Sequence, residues 1–131
     1  MRHAALTLCA AVSLALAGSS ALACGHCAED RIAAVYDHAL SARSVANRHQ
    51  VAYFAWDGKL APSEAVRRKI MALTQATPGV AAGSTRVSME PAALSVSFNP
   101  QRTSPKALEA SLQRQLKPLK ISIVLLDAPR V

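Results

Sequence analysis

Between Val51 and Leu126 the apolar residues recur first at strand spacing and then at helix spacing. The order of those stretches limits the possible folds more than any other feature of the chain. Val51-Ala-Tyr-Phe-Ala-Trp56 is short, apolar and aromatic, and it stops at Asp57-Gly58, as a buried strand does. A helix is predicted from near Pro62, a residue suited to a first turn. It places Val66, Ile70 and Leu73 on an inward stripe and turns Arg67, Arg68 and Lys69 toward water. Pro78-Gly79 ends it. Thr85 to Glu90 alternates, with Val87 and Met89 on one side, and Pro91-Ala92 turns the chain. Leu94, Val96 and Phe98 then alternate with Ser95 and Ser97, which predicts a half-buried strand ended by Asn99-Pro100. Ser104 is placed to cap a helix with Pro105 in its first turn and Leu108, Leu112 and Leu116 as its stripe. Pro118 closes that helix, and Ile121 to Leu126 reads as the last strand.

The resulting order, β-α-β-β-α-β, is the split βαβ or ferredoxin-like arrangement, an α+β fold whose antiparallel sheet carries two helices on one face. One more helix is predicted ahead of it. From Ala28 to about Ala46, Ile32, Val35, Tyr36, Ala39 and Leu40 recur at spacings of three and four, Glu29 and Asp30 suit a first turn, and Ser41-Ala42-Arg43-Ser44 is the place where the helix would end or weaken. This helix is the candidate to cover the open face of the sheet or to lie along an edge.

The first residues read as an export leader. Arg2 supplies the charge, Ala4 to Ala17 is an apolar run, and Ala21-Leu22-Ala23 is a cleavage signal. The run falls short of the about 20 apolar residues that a membrane span needs. The expected division is therefore a leader over 1–23, a Cys-containing segment and helix over 24–48, and the folded domain over 49–131. The expected compartment is the periplasm. A lipid on Cys24 is the lesser alternative, because Ala21 stands where such leaders usually carry Leu. Cleavage would remove Cys9 and, of the 15 Lys and Arg, only Arg2; the remaining 14 against 8 Asp and Glu make +6. That surface suits anionic partners, an acidic protein or an anionic membrane surface.

Two cysteines in an exported chain imply a disulfide, a redox pair or a metal site. They stand in Cys24-Gly25-His26-Cys27, just ahead of the predicted N-terminal helix. Thiols at a helix start are available as thiolate for attack or ligation. Soft thiolates prefer Cu(I), zinc and similar ions. Two sulfurs satisfy linear Cu(I), whereas closed zinc sites take four ligands, so zinc would need His26 and a further donor such as His38 or His49. A cut after Ala23 would also make Cys24-Gly25-His26 a free terminus, whose amine, amides and imidazole form a square-planar nitrogen set for Cu(II) or Ni(II).

Residues 51–126 resemble the heavy-metal-associated (HMA) domain of copper chaperones and metal-pumping ATPases. The likeness rests on Asp57-Gly58, Pro78-Gly79-Val80, Val87-Ser88-Met89-Glu90, Val96-Ser97-Phe98-Asn99-Pro100 and Thr103-Ser104-Pro105 in that order. It implies the ferredoxin-like fold and an association with metal handling. In those domains a CxxC follows the first strand. Here that segment is Gly58-Lys-Leu-Ala-Pro-Ser-Glu64, with Ala61 and Glu64 in place of the two thiolates. The tetrapeptide at 24–27 is a candidate displaced replacement, provided the N-terminal helix folds back toward the loop.

The expected function is that of a metal carrier, sensor or scavenger rather than an enzyme. Cys24 and Cys27 would be its ligands, His26 an auxiliary one, copper or zinc the ion, and no organic cofactor is expected. The alternatives are a periplasmic thiol-disulfide protein and a metal-free interaction module with a structural disulfide. CGHC is also the active tetrapeptide of disulfide isomerases, but their thioredoxin fold sets a strand directly before it, and no cis-proline loop is evident here. Nucleic acid is not expected: the Ala93 to Phe98 strand lacks the aromatic signature of RNA-recognition sheets. No P-loop, paired catalytic carboxylates or Ser-His-Asp signature is present.

Overall fold

The computed structural model describes residues 27–127. Helices α1 (Ala28–Val35) and α2 (His38–Ala46) lead into β1 (Gln50–Asp57), α3 (Glu64–Gln75), β2 (Arg86–Ser88), β3 (Ala93–Phe98), α4 (Pro105–Leu116) and β4 (Ser122–Asp127). The sheet order is β2-β3-β1-β4, and every pairing is antiparallel. That order is the ferredoxin-like α+β arrangement expected above.

The main core lies between the sheet and helices α3 and α4. Ala52, Phe54 and Trp56 project from β1, and Leu94, Val96 and Phe98 from β3. They meet Ile70 of α3 and Leu108, Leu112 and Leu116 of α4, all of them buried. Side chains two apart on a strand share a face, and helix residues four apart share a stripe, which is why these spacings converge. Ser104 caps α4, accepting from the Ala107 N–H at 3.1 Å, and Pro105 opens it.

Two local expectations are corrected, and one backbone feature is added. The continuous helix over 28–46 is two helices. Tyr36 takes an extended conformation at the end of α1, and Asp37 caps α2, its carboxylate accepting from the Leu40 N–H at 2.9 Å. Arg86 of β2 donates to the same carboxylate at 2.9 Å, so the break is pinned from across the fold. Pro62 precedes α3 instead of opening it; Ser63 is the cap, accepting from the Val66 N–H at 3.2 Å. The Glu90–Pro91 peptide is cis, which the sequence did not announce.

The other face of the sheet is covered. Val35 packs with Val51, Tyr53 and Ala93 in a second buried cluster, flanked by Ile32 and Leu126. Consequently β3 is buried along its whole length, serines included. Ser95 donates to the Val35 carbonyl at 3.0 Å, and Ser44 of α2 donates to the Ser97 hydroxyl at 2.8 Å. A strand predicted as half-buried is thus buried on both faces. Its small hydroxyls are satisfied by α1 and α2, as buried polar groups require.

Candidate metal centre

α1 runs antiparallel to β1, and its register follows from three contacts. At its C-terminal end the Val35 carbonyl meets Ser95, which pairs with Tyr53. At its N-terminal end Arg31 donates to the Ala92 carbonyl at 3.0 Å, and that carbonyl also accepts from the Trp56 N–H at 3.4 Å. Helix α1 therefore starts at the end of the sheet where β1 gives way to the Gly58–Ser63 loop. Arg31, Trp56, Gly58, Leu60, Pro62 and Met89 all line a cavity of about 270 Å³ that joins the two segments. The return of the N-terminal helix toward the loop, a condition set by the sequence, is met as far as Arg31.

Cys27 is the N-cap residue of α1. Its carbonyl accepts from the Arg31 N–H at 3.2 Å, its side chain makes no capping bond, and its thiol is exposed and free. A thiol so placed is accessible to a metal or to another thiol. Cys24 and His26 lie outside the described residues.

Helix α1 sets His38 apart from Cys27. Its eight residues, at about 1.5 Å each, put ~12 Å of helix between them. His38 instead lies 3.5 Å from the Tyr36 hydroxyl. His49 precedes β1, at the opposite end of an eight-residue strand, ~26 Å from the loop at about 3.3 Å per residue. Neither histidine can join Cys27 on one ion within a single chain. Among the described residues no group of three or more His, Cys, Asp or Glu converges on a point.

The loop over 58–64 carries no thiol. Ala61 is exposed and inert. Glu64 binds Arg67 through both carboxylate oxygens, at 2.8 and 2.6 Å. That hydrogen bonding holds the Glu64 carboxyl below its usual range and the Arg67 guanidinium above its own. A soft ion gains nothing from either residue. Gly58 keeps the loop close to the sheet: a Cβ there would meet Ile121 Cγ1 at 3.2 Å and the Lys120 carbonyl at 3.4 Å.

Sequence reasoning did not single out Arg31, and it read Met89 as a packing residue on one side of an alternating strand. The usable signal was spacing: Arg31 follows Cys27 by four residues, one helical turn, and α1 holds no other basic residue.

No protein-family profile matches the chain. No curated protein matches it either. Solved structures do. It is similar to a copper binding domain from HMA7, a P-type ATPase, at 12% identity and a TM-score of 0.48, over 62% of this chain and 99% of that one. It is also similar to the N-terminal domain of a potential copper-translocating P-type ATPase from Bacillus subtilis, determined in the Cu(I)-loaded state. There the identity is 19% and the TM-score 0.46, over 63% and 94% of the two chains. The yeast copper transporter domain CCC2A matches at 13% identity and a TM-score of 0.44, over 60% and 96%.

Proposed function

We propose that this chain is an exported carrier, sensor or scavenger of a soft metal ion, Cu(I) foremost, held by the thiolates of Cys24 and Cys27 with His26 as auxiliary ligand. The observation that supports it is the place of Cys27: an exposed thiol on the N-cap residue of a helix that is docked at the loop end of the sheet. The cysteine-free loop and the Glu64–Arg67 pair leave sulfur chemistry to the N-terminal segment. Cu(I) is favoured over zinc by arithmetic of ligands. One chain offers Cys24, Cys27 and His26, since α1 and β1 keep His38 and His49 away, and a closed zinc site takes four.

The ion is cargo, and no catalytic step is assigned. Delivery would proceed by ligand exchange at an exposed thiol, and an acidic partner protein or an anionic membrane surface would suit the +6 charge of residues 24–131. Intact mass measurement of the protein exported by its own cells tests the reading. The expected species begins at Cys24 and retains one copper per chain. A species cut beyond Cys27, or one with a 24–27 disulfide and no metal under reducing isolation, contradicts it.

A further inference from the structure

At the opposite end of β1 from Cys27, two adjoining cavities of about 380 and 460 Å³ share His49 and Ala81. Both fall within the size range of small-ligand sites. Arg43 and Asn47 of the α2 end face the first, and Asn99 and Arg102 of the loop after β3 face the second. No carboxylate lines either one among the described residues. Three other basic residues have acidic partners: Arg67 with Glu64, Arg86 with Asp37 and Lys106 with Glu109. Among the described residues, the side chains of Arg43 and Arg102 have none. Each cavity thus carries one arginine without a described acidic partner, and His49 lines both, which makes the pair of cavities a site of one sign.

The floor of this cleft is built. Ser44, Ser84 and Ser97 are buried beneath it in a hydroxyl network: Ser44 donates to Ser97 Oγ at 2.8 Å, and the Ser97 N–H donates to Ser84 Oγ at 3.0 Å. The rim turn Ala81–Ser84 closes with a Ser84 N–H to Ala81 carbonyl bond at 3.2 Å and has Gly83 at φ 68°. His49 itself is fixed by its backbone, whose N–H donates to the Ser44 carbonyl at 2.7 Å. The preceding residue, Arg48, adopts φ 57°, a left-handed conformation that costs a non-glycine residue energy. Such strain is retained where the surrounding structure requires one geometry.

We infer that this cleft binds a small oxyanion of the phosphate or sulfate type, with Arg43 and Arg102 as its charge partners and His49 lining both cavities. Guanidinium forks match the tetrahedral oxygens of such anions by paired N–H donation. The site stands apart from the metal centre proposed above, so each can fail without the other.

The test is a titration of the full folded chain with inorganic phosphate at constant ionic strength, followed by amide chemical shifts. Saturable shifts confined to 43–49, 81–84 and 99–102 are expected. Arg43→Ala and Arg102→Ala, both at exposed positions, should each weaken binding at least tenfold. Arg114→Ala, on α4 and outside the cleft, should change it less than twofold, and so should Cys24→Ser/Cys27→Ser. Unsaturable shifts scattered over all basic residues, equal shifts with chloride, or equal weakening by Arg114→Ala and Arg43→Ala would overturn the assignment.

Discussion

The Ser95 hydroxyl donates to the Val35 carbonyl across 60 residues of sequence, at 3.0 Å, with both residues buried. Carbonyls in the last turn of a helix have no partner within it. Ser95 supplies one to α1 and so fastens that helix to the sheet. Ser95→Ala leaves the carbonyl buried and unpaired, at a cost of about 1–3 kcal/mol. The expected result is a lower denaturant midpoint with faster amide exchange in α1 than in α4. Equal acceleration in both helices would show that α1 does not depend on this contact.

Arg48 and Lys120 are non-glycine residues at φ 57° and 54°. Glycine adopts that region without the Cβ penalty. Arg48→Gly is therefore expected to stabilise the fold by about 1 kcal/mol, read as a rise in Tm of roughly 4–8 °C. A fall in Tm would mean that the Arg48 side chain contributes more than its backbone costs.

Thr74 of α3 is fully buried, and among the described residues its hydroxyl has no hydrogen-bond partner. Burying an unpaired hydroxyl costs about 1–3 kcal/mol. Thr74→Val keeps the branched shape and removes the oxygen, so it should raise stability by about 1 kcal/mol. Thermal unfolding measures this, and a destabilised valine variant would point to an unseen partner of the hydroxyl.

Glu109 ties α4 to β4. Its carboxylate accepts from the Leu125 N–H at 2.6 Å and from Lys106 Nζ at 3.1 Å. The Leu125 bond, foremost, then Lys106, hold its carboxyl below the ordinary value near 4.5. Because the folded value is the lower one, the stabilisation is fully present above the ordinary value. It is lost as pH falls through the folded one. Glu109→Gln should therefore flatten the decline in stability with pH below about 4.5 and lower stability at pH 7. An unchanged acid limb would contradict this coupling.

Much of the fold was legible because periodicity alone orders it. The stripe of Leu108, Leu112 and Leu116 and the faces of β1 required no knowledge of distant partners. The break at Tyr36-Asp37 was not legible, since apolar spacing runs on from Val35 to Leu40 and Arg86, which pins Asp37, is 49 residues away. Ser95 and Ser97 likewise read as a polar face, because the carbonyl and hydroxyl that satisfy them belong to α1 and α2. At the candidate site Cys27 was legible from its motif. The exclusion of His38 and His49 was not, because it depends on the direction in which α1 lies across the sheet.

The most direct test of the central claim is a Cu(I) titration of the reduced protein beginning at Cys24, against a competing chelator. Wild type is compared with Cys24→Ser/Cys27→Ser and with His38→Ala/His49→Ala. One equivalent should bind to wild type, the histidine variant should match it within twofold, and the serine variant should lose at least a hundredfold in affinity, about 2.7 kcal/mol. Equal affinity of the serine variant and wild type would contradict the account.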